Sequence, residues 1–383
     1  MSAAALAVVH PAVSRGTPTV QLTTDSHGSY FLVNNGAISF QLYDTGALAG
    51  KITSIVYNNQ QMVGSKAIYY DIQGSPNIYL GAGETYTYRT GSNFIDISAE
   101  HPATATEPLD VTWHWILEDG QPGFSTYLTY HHTTAMADYA STENRLGAEF
   151  FNPALFHYSS IADNFWGYQA AGDADRNQGR YITAETADMR GIPSEYIKNY
   201  ETKYDWRTTQ AADGGVTGLV TAANTTKSTG PLVANDYGVW NISTYRSNES
   251  LNAGPTHPQS PVADGASIIP SPAGSHFGGP QLTYTGNMDK SFGPFLTYFN
   301  KGSNINSLRA DASSLATGTL SASLNSFYDS LNLPYYATTA QRGTVDGQVR
   351  ISDGSSLTGA TVILSSFNPT QYARAESFDQ NRR

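Results

Sequence analysis

The sequence predicts an all-β protein built on a large antiparallel sandwich with a few short helices, and three observations carry that expectation. Only 14% of the 383 residues are charged, well below the roughly 25% of ordinary soluble domains, whereas aromatics reach 12% and include 25 Tyr. The 35 Gly and 18 Pro are spread along the chain, as many turns between short strands require. Apolar and aromatic residues also recur at every second place in several segments, the period of a strand with one buried face.

From Thr17 the expected strands follow one another closely: Thr17 to Thr24, Tyr30 to Val33, Ala37 to Tyr43, Lys51 to Tyr57 and Ala67 to Ile72. Alternation is clearest in Asp110-Val-Thr-Trp-His-Trp-Ile-Leu-Glu118 and in Phe124-Ser-Thr-Tyr-Leu-Thr-Tyr130. Asn34-Asn-Gly36, Asn58-Asn59 and Asp119-Gly-Gln-Pro-Gly123 supply turn chemistry between them. Two antiparallel layers packed face to face are expected.

Beyond Phe150 the pattern loosens into polar loops. In Gly172-Asp-Ala-Asp-Arg-Asn-Gln-Gly179 the acidic spacing suggests a calcium loop, but Gln178 displaces the turn glycine and Ala184 stands at the closing position. A solvated turn is the preferred reading, and no metal site is expected. Between Asn304 and Leu331, Leu308, Leu315, Leu320, Leu324, Phe327 and Leu331 recur roughly every three to four places, which predicts short helices. Arg342 to Gly354 and Thr358 to Leu364 then read as two strands of a further, incomplete β unit.

Several function classes are excluded. The net charge of −11 and the absence of a Lys/Arg cluster argue against nucleic acid. With no cysteine there are no disulfides, no thiolate chemistry and no Cys-ligated zinc. No segment approaches the 18 apolar residues of a membrane span, so no membrane partner is expected. A serine elbow, a Walker loop and a dinucleotide fingerprint are all missing. His131 and His132 are adjacent, which in a strand sends them to opposite faces and disfavours a zinc pair.

Secretion is expected on two grounds. Met1 to His10 is similar to the remnant of a secretory h-region. Asn224-Thr-Thr, Asn241-Ile-Ser and Asn248-Glu-Ser match the glycosylation acceptor pattern, which makes Asn224, Asn241 and Asn248 candidate glycan sites.

Lys203 stands out among seven lysines because Tyr200-Glu-Thr-Lys-Tyr-Asp-Trp-Arg207 surrounds it with aromatics. It is either a surface lysine or an ammonium partly desolvated by aromatic walls, which lowers its pKa and equips it as a base. In Ser275-His-Phe-Gly-Gly-Pro280 glycines leave room beside the imidazole of His276, as an acid/base role needs.

At these residues the chain resembles the rhamnogalacturonan lyases of polysaccharide lyase family 4. Val33-Asn-Asn-Gly-Ala-Ile-Ser-Phe40 and Gly50-Lys-Ile-Thr-Ser-Ile-Val-Tyr-Asn58 are similar to that family's opening strands. Thr202-Lys-Tyr-Asp-Trp206, His276-Phe-Gly-Gly279 and Lys290-Ser-Phe-Gly-Pro-Phe-Leu-Thr-Tyr-Phe-Asn300 match its central region, and Arg342-Gly-Thr-Val-Asp-Gly347 its domain junction. The likeness runs from about residue 17 to 366.

The resemblance implies a galactose-mutarotase-like super-sandwich and an endolyase that cleaves the rhamnose-(1,4)-galacturonate bond of rhamnogalacturonan I by β-elimination. Lys203 would be the base and His276 the acid. Arg145, Arg207 and Arg246 are candidates to neutralise the uronate, and Tyr204 and Trp206 either stack on sugar rings or fill the core. The implied organisation is a leader remnant over 1–16, a catalytic sandwich over 17–337, a truncated fibronectin-III-like start over 338–366 and a disordered tail over 367–383. No cofactor is implied, the partner is a pectic polysaccharide, and a secreted monomer is expected. The alternatives are a catalytically inactive carbohydrate-binding paralogue and a glycosidase on a similar sandwich.

Overall fold

The computed structural model describes residues 17–144, 148–152, 155–162, 165–168, 180–183, 186–188, 201–202, 216–221, 236–242, 260–262, 267–269, 273–274, 282–303 and 305–343. The strands that build the body are, in chain order, β1 (Thr19–Asp25), β2 (Gly28–Asn34), β3 (Ile38–Tyr43), β4 (Ile52–Tyr57), β5 (Val63–Tyr69), β6 (Thr85–Thr90), β7 (Phe94–His101), β8 (Asp110–Glu118) and β9 (Gly123–His132). They continue with β10 (Ala148–Phe151), β11 (Phe156–Ala162), β12 (Phe165–Tyr168), β13 (Thr217–Thr221), β14 (Asp236–Ile242), β15 (Ser260–Val262), β16 (Ser267–Ile269) and β17 (Met288–Gly302).

The first sheet runs β1-β2-β3-β4-β5-β10-β16-β15, with Gln60–Gln61 pairing off β4. The second runs β12-β11-β13-β14-β17-β9-β8-β7-β6. All the pairings are antiparallel. The hairpin strands expected over the first 130 residues are present. The exception is the strand expected over 67–72, which is divided at Tyr70 between β5, already begun at Val63, and Asp71–Gly74.

Alternation decides which side chains join the two sheets. Val111, Trp113, Trp115 and Leu117 of β8, with Phe124, Leu128 and Tyr130 of β9, enter one buried cluster with Phe31, Val33, Phe40, Ile52 and Ile68 of the first sheet. The Phe40 and Phe124 rings meet across the sandwich at 5.3 Å. Burying each such side chain contributes about 1.5–3 kcal/mol, so this layer is the main source of cohesion.

Asn35 ties the turns of the two sheets together. Gly36 takes the left-handed φ of 85° that the β2–β3 turn needs, and Asn35 accepts the N–H groups of Ala37 and Ile38 at 3.1 and 2.9 Å. Its amide donates to the carbonyls of Glu118 and Gln121, each at 2.8 Å, in the β8–β9 turn.

The expected helices are α1 (Ile305–Ala316) and α2 (Gly318–Ser330), separated at Thr317, whose backbone is extended. They cover the outer face of the second sheet, so Leu308, Leu315, Leu324, Phe327 and Leu331 pack on Tyr127, Trp240, Leu296 and Tyr298, with Leu320 partly buried beside them. Asn300 fastens α1 to the sheet: it accepts the indole N–H of Trp240 at 2.8 Å and donates to the Leu308 carbonyl at 2.8 Å and to Asp311 at 2.9 Å. Among the described residues no helix is long and apolar enough to cross a membrane.

A smaller sheet forms around Tyr139–Asn144, which pairs with Asp71–Gly74, with Leu282–Tyr284 and with Ala273–Gly274. A three-stranded sheet joins Arg180–Thr183, Thr186–Asp188 and Glu201–Thr202. The polar loop 172–179, the second strand pair expected over 342–364, and the leader and tail lie outside the described residues, apart from Arg342 and Gly343.

Candidate functional site

Lys203, Tyr204, Trp206 and Arg207, together with His276, Arg145 and Arg246, lie outside the described residues. Their flanking strands are described. Glu201–Thr202, the two residues before Lys203, pairs with Thr186–Asp188. Asn144, the residue before Arg145, stands opposite Ala273, three residues before His276, and Glu143 stands opposite Gly274. One antiparallel pairing therefore joins the chain just before Arg145 to the chain just before His276.

Of the three sequon asparagines, Asn224 and Asn248 also lie outside the described residues. Asn241 is described, and it corrects the expectation of a glycan there. It sits in β14 at 1% exposure, between Thr217 and Thr297 of the neighbouring strands, where a branched sugar has no room. The tripeptide pattern reports acceptor chemistry but not strand burial.

Four sets of titratable groups stand out among the described residues. Glu149 of β10 is buried between the sheets, and burial pushes its carboxyl up to about 8, only partly offset by the Thr297 hydroxyl. It is therefore a neutral acid at pH 7, within electrostatic reach of the buried Tyr70 hydroxyl. Sequence reasoning passed over it, although a lone carboxylate in Ala148-Glu-Phe-Phe151 is the kind of residue whose face only register decides.

On the outer face of the second sheet Asp96, 2% exposed, takes two partners. Arg89 Nε donates to it at 2.9 Å, and His114 Nδ1 lies 3.0 Å away. Further along, His131 Nδ1 lies 2.6 Å from Asp289, and that contact, with a smaller one from Tyr335, holds the Asp289 carboxyl below its ordinary range. His132 instead faces inward, its ring nitrogens 2.6 and 2.9 Å from the carbonyls of Gly286 and Ala137. The two adjacent histidines thus part to opposite faces.

The fourth set centres on His101, with Nδ1 3.2 Å from Glu84 and Nε2 3.5 Å from Glu107. Burial alone would raise the Glu84 carboxyl, but His101 and the Gly81 N–H outweigh it and hold it below the usual range. Among the described residues no group of three His, Asp or Glu side chains is arranged to hold a metal ion.

No family model matches the chain. Curated relatives do. The chain is 25% identical over 338 residues to a probable rhamnogalacturonate lyase B of Aspergillus terreus, covering 80% of this chain and 48% of the relative. It is 26% identical over 371 residues to a probable rhamnogalacturonate lyase B of Aspergillus flavus, covering 90% and 51%. It is 25% identical over 339 residues to the rhamnogalacturonate lyase B of Emericella nidulans, covering 79% and 47%. The chain thus spans about half the length of the curated relatives it matches.

Among solved structures, it is similar to a galactose 1-epimerase from Lactobacillus acidophilus (TM-score 0.36, 7% identity, 75% of this chain and 100% of that one). A galactose mutarotase-like protein from Lactobacillus casei gives a TM-score of 0.34 at 14% identity, covering 74% and 100%. The assignment as an antiparallel sandwich rests on the strand pairing itself. Over 79–90% of its length the chain is thus similar, at 25–26% identity, to proteins named rhamnogalacturonate lyase B.

Proposed function

We propose that this chain is the catalytic module of a secreted rhamnogalacturonan endolyase acting on the pectic polymer rhamnogalacturonan I. The observation that carries the reading is the sequence match itself, 23–26% identity over 79–90% of the chain to proteins named rhamnogalacturonate lyase B or C. The motifs around Lys203 and His276 fall inside the region of likeness read from the sequence.

In this reading an arginine drawn from Arg145, Arg207 and Arg246 neutralises the galacturonate carboxylate, which acidifies the C5 proton. Neutral Lys203 removes that proton as general base. The electron pair forms the C4–C5 double bond, the bond from C4 to its oxygen breaks, and protonated His276 donates its proton to the departing oxygen. Tyr204 and Trp206 stack on the sugar rings. Asn224 and Asn248 carry glycans on the secreted chain, which acts as a monomer and without a cofactor.

The test is product analysis on rhamnogalacturonan I. Unsaturated oligosaccharides with the ultraviolet absorbance of a conjugated enoate are expected. Saturated products would point to a glycosidase, binding without turnover to a carbohydrate-binding paralogue, and either result overturns the lyase reading.

A further inference from the structure

A neutral imidazole has one N–H donor and one acceptor nitrogen, and only the imidazolium donates from both. His101, 8% exposed, turns both ring nitrogens toward carboxylates: Nδ1 lies 3.2 Å from Glu84 and Nε2 3.5 Å from Glu107. The first contact is a hydrogen bond, whereas Nε2 lies at ion-pair distance without one. The sign of the second contact therefore depends on whether Nε2 carries a proton.

The two carboxylates are held by different parts of the chain. The register that sets Thr85 of β6 opposite Glu100 of β7 brings Glu84 beside His101. Glu84 is only 6% exposed at its side chain and also accepts the Gly81 N–H at 2.8 Å. Glu107 stands in the β7–β8 loop and is 29% exposed at its side chain. It closes a turn in which the Thr104 N–H donates to the Glu107 carbonyl and the Glu107 N–H to the Thr104 hydroxyl, each at 2.9 Å. Further out among the described residues lie Glu100, on the opposite face of β7, and Asp110 of β8, which accepts the Ala103 N–H. Burial pushes the nearby Tyr86 and Tyr139 hydroxyls far up, and the charges of Asp44 and Asp71 are felt there.

We propose that His101 is a pH-sensitive latch on the β7–β8 loop, closed when the ring carries both protons and open when it carries one. The retained proton stays on Nδ1, which makes the shorter contact and faces the more buried carboxylate. Nε2 then presents a lone pair to Glu107, and an attraction becomes a repulsion. Glu107 has water to turn to, so the loop over 102–109 is released while Glu84 stays bound. The latch borders the strand Tyr139–Asn144 that leads to Arg145, since the charge of Glu107 is felt at the Tyr139 hydroxyl.

The experiment is hydrogen–deuterium exchange by mass spectrometry on the full chain, for wild type, His101→Gln and Glu107→Gln. It runs from about pH 5 to about pH 8, the range in which histidines change charge, with rates corrected for the intrinsic pH dependence of amide exchange. Protection of 102–109 in wild type should fall as pH rises, by up to about tenfold per pH unit because opening releases one proton. Protection of 80–84 should stay constant, and both variants should lose the pH dependence at 102–109. Constant protection of 102–109 in wild type overturns the proposal, as does an undiminished pH dependence in Glu107→Gln or parallel release of 80–84. Glu107 is partly exposed, so Glu107→Gln decides the matter if His101→Gln does not fold. None of these readouts depends on catalytic activity.

Discussion

Thr297 donates its hydroxyl to the carboxyl group of Glu149 across the space between the two sheets, at 2.9 and 3.0 Å from the two oxygens. That contact is too weak to offset desolvation of the carboxylate, which is why the group titrates near 8 and not near 4.5.

The first prediction concerns pH. Between about 4.5 and 8 the folded chain keeps a proton on Glu149 that the unfolded chain has released. The associated stability is fully present below the lower value and is lost as pH rises through the upper one, at about 1.4 kcal/mol per pH unit. Glu149→Gln keeps a partner for Thr297 and cannot ionise. Urea denaturation should therefore show the variant gaining on wild type from pH 5 to pH 8, with a constant difference above that. Parallel curves would show that Glu149 is not held neutral.

Asn35 offers a second test. Its side chain makes four hydrogen bonds and joins the β2–β3 turn to the β8–β9 turn. Truncation leaves buried backbone groups unsatisfied at about 1–3 kcal/mol each. Asn35→Ala should cost about 3 kcal/mol in chemical denaturation, and Asn35→Asp, which keeps only the accepting half, should not restore the loss.

Asp96 and Arg89 form one ion pair with unequal stakes. Arg89 is 46% exposed at its side chain and Asp96 only 2%. Removing the exposed cation should cost less than about 1 kcal/mol. Removing the buried carboxylate also strips His114 of its partner and should cost about 2–4 kcal/mol. Equal losses for Arg89→Ala and Asp96→Ala would contradict this asymmetry.

For catalysis, Lys203→Ala and His276→Ala should each lower enoate formation from rhamnogalacturonan I by at least about 100-fold, the low end of what general acid–base groups contribute. Melting temperatures should be unchanged. Wild-type rates in either variant would remove that residue from the proposed mechanism.

Expression through a secretory pathway separates the three sequons. Asn224→Gln and Asn248→Gln should each remove one glycan's mass on electrophoresis, whereas Asn241→Gln should leave the glycan mass unchanged. A glycan released from a peptide containing Asn241 would contradict its burial at 1% exposure in β14.

What the sequence determined by itself were properties local in the chain. Alternation in Asp110 to Glu118 and Phe124 to Tyr130, turn chemistry at Asn34-Asn-Gly36, and the helical spacing from Leu308 to Leu331 all follow from neighbours within a few residues, and they were legible as written. The motifs that tie the chain to its relatives are local too. The tertiary structure decided what depends on register between distant strands. It placed Asn241 inside the core and not under a glycan, opposite a threonine 56 positions away. It brought Glu149 against Thr297 across two sheets, and Asn35 against a turn more than 80 positions on. A one-residue slip in any of these pairings would reverse every face, so no inspection of the separate segments could have assigned them.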